Sequence, residues 1–284
     1  MTRPGGLAIT ASEESSATPG PALPPGDGLR RTLALFSAFR LEQSDPDTFY
    51  RFQAADTVAW IDRHLPISLP GTRVLDIGGG AGYFSEAFAA RGASSVLVEP
   101  TAGHAAEPTD ASTAEARHRK AIHPGRLAPG MTVAGDGYRL PFADGSADLT
   151  FSSNVLEHVA DPRGVIDELA RVTKPGGMVY LSFNAWYSPN GGHETAPWHY
   201  FGGERAARRY ERRHGHPPGN RFGTSLFVCR VGTTLRRLRR HPEMAVVMAL
   251  PRYHPSWLRW VVHVPVIREL ATWNLLVILT KERG

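Results

Sequence analysis

A glycine-rich turn with an acidic residue in front of it is the segment of this chain best suited to chemistry. Asp76 lies in an apolar run and is followed by Gly78, Gly79, Gly80 and Gly82. Glycine adopts the backbone angles of such a turn at little steric cost. A helical pattern follows at once, so backbone N–H groups lie open at a helix N-terminus. The segment therefore predicts a binding site for a small polar ligand.

The spacing of the glycines bears on which ligand that is. A dinucleotide-binding turn has glycine at its first, third and sixth positions. Counted from Gly78, the sixth position is Tyr83. The turn thus departs from the pyrophosphate fingerprint. An NAD(P)-dependent oxidoreductase is disfavoured and stays as an alternative function.

Further polar residues follow three later apolar runs. Glu99 and Pro100 end the second run, Asp136-Gly137 follows the third, and Asn154 follows the fourth. A carboxylate at the end of the second strand can accept both hydrogen bonds of a ribose diol. Asp136 also suits an ordinary turn, and Asn154 also suits a cap for the turn that follows it.

These residues need a scaffold, and the central region predicts one. Short β-branched runs alternate with helical patterns there, which indicates βαβ units and a mainly parallel sheet. We expect strands over 73–77, 95–99, 132–134, 147–152, 177–183, 244–250 and 273–280. We expect helices over 29–40, 47–65, 83–90, 162–172 and 203–213, a basic helix ending at 240 and an aromatic helix near 255–270. In the first helix Leu33, Phe36 and Phe39 recur at helical spacing.

The ordered motifs resemble those of the class I S-adenosylmethionine-dependent methyltransferases, especially those that act on small molecules, sugars and lipids. The D-x-G-x-G-x-G turn, Glu99, Asp136, the 140–159 region and the turn at 172–177 follow in the family's order, so the resemblance covers about 45–184. It implies a Rossmann-like, doubly wound α/β fold with a mostly parallel seven-stranded sheet, helices on both faces and an antiparallel last strand.

The resemblance also implies the ligand. S-adenosyl-L-methionine would be the cofactor and S-adenosyl-L-homocysteine the product, with the glycine turn against the methionine part. The implied cofactor-binding residues are Asp76, Gly78, Gly79, Gly80, Gly82, Glu99, Pro100, Asp136, Gly137 and Asn154.

Composition and order of motifs divide the chain into four parts. Residues 1–28 are rich in Pro, Gly, Ser, Ala and Thr and are expected to form a disordered tail. A helical cap over 29–70 precedes a cofactor-binding core over 71–183. Residues 184–284 would supply a loop and helices over the acceptor and the last strands of the same sheet.

The acceptor is expected to bind at the segment after the fifth strand, because ligands of open α/β sheets lie at the carboxyl ends of the strands. Residues 184–200 are rich in aromatic side chains, which suit a sugar or a ring. His193, or else His199, is a candidate base for a hydroxyl acceptor. The expected reaction is O-methylation of a small-molecule, sugar, glycan or glycolipid acceptor. A rigid aromatic loop, or a module that binds the cofactor without catalysis, stays as the alternative.

Charge and composition set the expected partners and location. The chain has 284 residues and a net charge of +5, with eleven arginines and one acidic residue between 205 and 240. The basic and aromatic residues of 205–266 suggest peripheral membrane contact or a solvated face, and no nucleic-acid motif is recognisable. The single cysteine and the absence of zinc-ligand spacing predict no metal site. The N-terminus has no secretory signal pattern, so a cytoplasmic location is expected.

Overall fold

The fold is organised around a seven-stranded sheet. A computed structural model describes residues 26–42, 44–100 and 131–283. The strands are β1 (Arg73–Ile77), β2 (Ser94–Glu99), β3 (Thr132–Ala134), β4 (Ala147–Ser153), β5 (Thr173–Asn184), β6 (Met244–Pro251) and β7 (Asn274–Lys281). Their order across the sheet is β3-β2-β1-β4-β5-β7-β6. Strands β1 to β5 pair in parallel, whereas β7 runs antiparallel to β5 and to β6. The predicted mostly parallel, doubly wound sheet with an antiparallel last strand is confirmed.

Seven α-helices are described. They are α1 (Leu29–Ala38), α2 (Pro46–His64), α3 (Tyr83–Ala89), α4 (Pro162–Val172), α5 (Gly203–His214), α6 (Val231–Arg239) and α7 (Ile267–Ala271). Short 3-10 helices cover Phe39–Leu41, Leu156–His158, His193–Thr195, Trp198–Phe201 and Ser256–His263. Helices α2 and α4 begin in the same way: an Asp side chain accepts a backbone N–H of the first turn, and a proline occupies the first helical position.

The core lies in two layers, one on each face of the sheet. Successive side chains of a strand point to opposite faces, so Tyr180 of β5 packs in one layer while Val179 packs in the other. The first layer joins α2 and α3 to the sheet through residues such as Trp60 and Phe88. The second joins α4 and α6 through residues such as Leu169. Burial on both faces explains why apolar residues occupy consecutive positions in central strands, such as Val74-Leu75 of β1 and Val179-Tyr180-Leu181 of β5.

Helix α1 differs at Leu33 from the expected amphipathic pattern. Leu33, which we expected on the apolar face of the first helix, is 55% exposed. The buried face includes Arg31 instead, whose guanidinium binds both carboxylate oxygens of Asp56 at 2.8 and 2.6 Å. A buried bidentate pair can replace an apolar contact because each charge has its partner. Phe36 and Phe39 do pack, with ring centroids 4.8 Å from Trp273 and 5.2 Å from Tyr253. Of the three predicted apolar positions, Leu33 is therefore the one that does not face the core.

The single aromatic helix predicted near 255–270 is wrong. The chain there forms the 3-10 helix Ser256–His263 and, separately, the short helix α7. Pro265 lies between them, and Val266 has a φ of 68°. Proline ends a helix before it, and a β-branched residue in the left-handed region breaks the helical path.

The expected tail, 1–28, lies outside the described residues except for its last three. Among those, Asp27 is held in place by His64 Nε2 at 2.8 Å. Residues 101–130 also lie outside the described residues. Within the part of the chain that is described, no helix has both the length and the apolar character needed to cross a bilayer.

Candidate functional site

The glycine turn joins β1 to α3. Gly78, Gly80 and Gly82 have φ values of 71°, 59° and 83°, in the left-handed region that favours glycine. A side chain at Gly78 would also collide with Val155, whose Cγ2 lies 2.5 Å from the position of an added Cβ. The turn therefore keeps its backbone open and packs against the segment that follows β4.

Asp76 lies beneath this turn and is fully buried. Its Oδ2 accepts a hydrogen bond from the Ser85 hydroxyl at 2.8 Å. Its Oδ1 is buried and has no hydrogen-bond partner among the described residues. Burial, opposed in part by Ser85, raises the pKa of Asp76 to about 7. A buried carboxylate with a free oxygen fits a cationic ligand group, which would supply the missing partner.

Glu99 lies at the carboxyl end of β2, on the other side of the turn. Its Oε1 accepts the backbone N–H of Gly80 at 2.5 Å. Burial raises the pKa of Glu99, and the Gly80 N–H lowers it in part. Pro100, which follows it, is exposed. A partly buried carboxylate at this strand end can accept hydrogen bonds from a diol.

Asp136 and Gly137 form the turn after β3. The Asp136 side chain is exposed, and its Oδ1 accepts the backbone N–H groups of Tyr138 and Arg139, both at 2.9 Å. Gly137 has a φ of 79° and is buried. The carboxylate thus shapes the turn, and its contact with the cofactor stays a prediction. Arg171 of α4 holds the loop beyond this turn by donating to the Phe142 carbonyl at 2.9 Å.

Asn154 follows β4 directly and has a φ of 59°. Its Oδ1 accepts a hydrogen bond from Asn274 Nδ2 at 2.7 Å. The same amide group of Asn274 donates to Asn184 Oδ1 at 3.0 Å. Three asparagines from β5, β7 and the end of β4 therefore meet at one edge of the sheet. The sequence pointed only to Asn154, because the other two carry no local motif.

The two candidate bases lie in the segment after β5. His193 has its ring 5.1 Å from that of His158, which follows β4. Burial, together with the charges of His158 and His199, lowers the pKa of His193 to about 3. His199 is buried, with its ring 5.4 Å from Trp186, and burial lowers its pKa as well. Both imidazoles are therefore neutral at neutral pH. Among the described ring contacts, His193 pairs with a residue that follows β4, whereas His199 does not.

One charged residue near this edge had no sequence signal. Arg252, at the end of β6, is buried and donates to the hydroxyls of Ser153, Ser182 and Thr57 at 2.8, 3.0 and 2.8 Å. Its guanidinium ties β4, β5 and α2 together at the carboxyl edge of the sheet. An arginine beside a proline in a strand is not a motif, so only the fold reveals this role.

These residues fit S-adenosyl-L-methionine. The unpartnered Asp76 oxygen suits its ammonium, the open glycine turn suits its methionine part, and Glu99 suits its ribose. The bound cofactor would supply an electrophilic methyl group on a sulfonium. The chain's own part would be to bind and orient it at the carboxyl ends of β1, β2 and β4.

The comparisons with known proteins agree with this fit. Residues 75–181 match the methyltransferase domain family described as Methyltransf_11. An uncharacterized methyltransferase of Mycolicibacterium gilvum is 46% identical over 258 residues, covering 88% of this chain and 94% of that protein. One of Mycobacterium tuberculosis is 45% identical over 259 residues, covering 89% and 95%.

A solved structure is similar in fold. It is a putative S-adenosylmethionine dependent methyltransferase from Listeria monocytogenes, with a TM-score of 0.50, 14% identity, and coverage of 81% of this chain and 99% of that one. The protein belongs to the class I S-adenosylmethionine-dependent methyltransferases, and S-adenosyl-L-methionine is its cofactor.

Proposed function

We propose that this methyltransferase methylates a hydroxyl oxygen of a small-molecule, sugar, glycan or glycolipid acceptor. The observation that carries the proposal is the position of His193 beside His158, at the carboxyl edge where β4 and β5 end. The backbone N–H of Asn184 donates to Glu157 Oε1 at 2.9 Å, which joins the end of β5 to the segment after β4. Neutral imidazoles and a carboxylate are groups that accept hydrogen bonds from a hydroxyl.

Aromatic side chains in the same segment support a ring-shaped acceptor. Trp198, Tyr200 and Phe201 are exposed. The guanidinium of Arg209 lies 3.8 Å from the ring centroid of Trp198, so one face of that indole is held by a cation. Exposed aromatic faces suit sugars and rings.

Methyl transfer asks the protein mainly for alignment, which supplies roughly 7 to 11 kcal/mol of the barrier reduction. A general base adds roughly 10²- to 10⁴-fold for a hydroxyl acceptor. We propose His193 for that role before His199, because the His193 ring contacts that of His158, which follows β4. The His199 ring lies against Trp186 instead. With a pKa of about 3 it is a weak base, so removing the hydroxyl proton needs a second contribution from the site.

An acceptor screen tests the proposed function. Purified protein is incubated with methyl-labelled S-adenosyl-L-methionine and separate sets of glycan, lipid and aromatic hydroxyl acceptors, and of amine and thiol analogues of the same compounds. We expect label on at least one hydroxyl acceptor and at least tenfold less on its amine analogue. Transfer to amines or thiols alone would refute O-methylation. His193→Ala and His199→Ala are measured for turnover and cofactor affinity; unchanged turnover in both would refute the assignment of the base.

We also propose that the protein touches anionic lipid surfaces. Trp257 and Trp260 are 66% and 50% exposed. They lie three residues apart in the 3-10 helix Ser256–His263, so they share one side of it. Val266 and Leu270 nearby are exposed as well. Exposed tryptophans beside aliphatic residues favour a membrane interface, and the positive net charge favours anionic lipid.

A further inference from the structure

Three side chains that can bind a metal ion meet at the carboxyl edge of the sheet. Glu157 and His158 lie in the 3-10 helix after β4, and His193 begins the 3-10 helix after β5. One potential ligand atom from each of the three lies within 4.8 Å of the others. Within the described residues this is the group of His, Cys, Asp and Glu side chains that converges in this way.

Glu157 presents a free oxygen to this group. The side chain is 1% exposed, and its Oε1 accepts the backbone N–H of Asn184 at 2.9 Å. Its Oε2 is buried and has no hydrogen-bond partner among the described residues. A buried carboxylate oxygen without a partner is unfavourable unless a cation or a donor completes it.

His158 is oriented as metal-binding histidines usually are. Its Nδ1 lies 2.7 Å from the backbone carbonyl of Ser225. A carbonyl only accepts hydrogen bonds, so Nδ1 carries the proton and the lone pair is on Nε2. A backbone carbonyl on one ring nitrogen with the other nitrogen free is the arrangement that fixes a ligating imidazole.

His193 supplies the third group. Its Nε2 is buried and has no hydrogen-bond partner among the described residues. Its backbone has a φ of 48°, in a region that residues other than glycine seldom adopt. Unusual backbone angles of this kind concentrate at functional sites, where the surrounding structure holds them. The conformation places the His193 ring next to that of His158, at 5.1 Å between centroids.

We propose that Glu157, His158 and His193 bind a divalent transition-metal ion, for which Zn²⁺ and Mn²⁺ are the probes. Two imidazoles and one carboxylate are ligands that such ions accept, and three protein ligands leave coordination positions open. The sequence predicted no metal site because His193 is far from His158 in the chain. The fold brings them together across the ends of β4 and β5.

The open positions connect this site to the proposed O-methylation, on which the following step rests. They lie at the carboxyl edge of the sheet, where the acceptor is expected. A bound metal ion lowers the pKa of a coordinated oxygen group and holds it in place. The acceptor class would then be a molecule that can offer a hydroxyl oxygen to the ion. A neutral imidazole has one lone pair, so while His193 binds the ion it would be a ligand in place of the general base. The coordinated hydroxyl would release its proton to water.

Metal binding is tested on the tag-free full-length protein, without reference to activity. After treatment with a chelator and gel filtration, Zn²⁺ and Mn²⁺ are titrated by calorimetry, and bound metal is counted by mass spectrometry. We expect one ion of either metal per chain. We expect His193→Asn and Glu157→Gln each to raise the dissociation constant of the bound metal ion at least about 100-fold. His193→Asn is the safer variant for folding, because Asn tolerates a positive φ. His216→Gln, a loop histidine outside the group, is the control and should bind as the wild type does.

The outcomes separate this site from the proposed function. Less than 0.2 ion per chain for both metals, or binding unaffected in His193→Asn that still melts cooperatively, would overturn the metal site. Hydroxyl methylation that proceeds equally in chelator would overturn only the link between metal and acceptor. Stoichiometric metal binding without transfer to any hydroxyl acceptor would support the site and refute the O-methylation.

Discussion

The backbone of Gly79 lies directly against the carboxylate of Asp76. A Cβ atom added at Gly79 would be 2.3 Å from Asp76 Oδ2 and 2.6 Å from Oδ1, both far inside van der Waals contact. Asp76 is fully buried and also bonded to Ser85, so it has little room to move. The second glycine of the turn is thus required by a close approach, in contrast to Gly78, Gly80 and Gly82, which are required by their positive φ.

Gly79→Ala is expected to weaken cofactor binding. The added methyl group must displace either the carboxylate or the turn, which costs a charge-assisted hydrogen bond of about 1.5 to 3 kcal/mol. The dissociation constant for S-adenosyl-L-methionine should rise about 10- to 100-fold, measured by calorimetry. Gly28→Ala is the control, because nothing lies within 4 Å of its added Cβ. Equal affinity in Gly79→Ala and wild type would contradict the role given to Asp76.

Cofactor affinity is expected to rise with pH up to about 7. The pKa of Asp76 is raised to about 7 by burial, and the cofactor's ammonium requires the charged carboxylate. Binding therefore releases a proton below this pH. Affinity at pH 6 should be about tenfold lower than on the plateau above pH 7, since one pKa unit corresponds to a factor of ten.

Asp76→Asn separates this effect from titration of the cofactor's own ammonium, which persists in the variant. A pH profile of the same shape in both proteins would argue against titration of Asp76. In the unliganded protein, the raised pKa of Asp76 makes the free energy of unfolding depend on pH. Because the folded pKa is raised, Asp76 contributes stability that is present below about pH 4 and is lost as the pH rises to about 7, and Asp76→Asn should lack this loss.

Arg252→Met is expected to destabilise the protein. The substitution removes the three hydrogen bonds that the guanidinium donates to the hydroxyls of Ser153, Ser182 and Thr57. At about 1 kcal/mol for each hydrogen bond, the free energy of unfolding should fall by about 2 to 4 kcal/mol in urea denaturation. Arg259→Met, at an exposed position, should change it by less than about 0.5 kcal/mol. If Arg252→Met is as stable as the wild type, the guanidinium does not join the strands to α2.

Lipid contact is tested by flotation with anionic liposomes at low salt. The double variant Trp257→Ala, Trp260→Ala should lose most of the co-migration shown by the wild type, because both exposed indoles are removed. Trp198→Ala is the matched control, since that exposed indole lies elsewhere, against Arg209. Absence of the wild type from the liposome fraction at low salt would end the membrane proposal.

The turn and strand-end residues assigned to the cofactor could be placed at one edge of the sheet from the sequence, because their signals are local. Strand, glycine turn and helix follow one another within a few residues from Asp76 to Tyr83, and each strand-end residue comes directly after its own apolar run. Because these strands pair in parallel, the carboxyl ends of β1, β2 and β4 lie at the same edge of the sheet. The single helix predicted near 255–270 is an error of element type, and the exposed Leu33 is an error of packing face.

What the sequence determined by itself is the fold class and the cofactor turn, because hydrophobic period and glycine placement act over neighbouring residues. What only the tertiary structure decided is which distant polar groups meet: Arg252 with hydroxyls of β4, β5 and α2, Asn274 with Asn154, and His193 with Glu157 and His158. These contacts join segments that are remote in the chain, and their strength depends on burial. The local pattern around a side chain specifies neither its partner nor its burial, so these contacts, and the proposals that rest on them, depend on the folded structure.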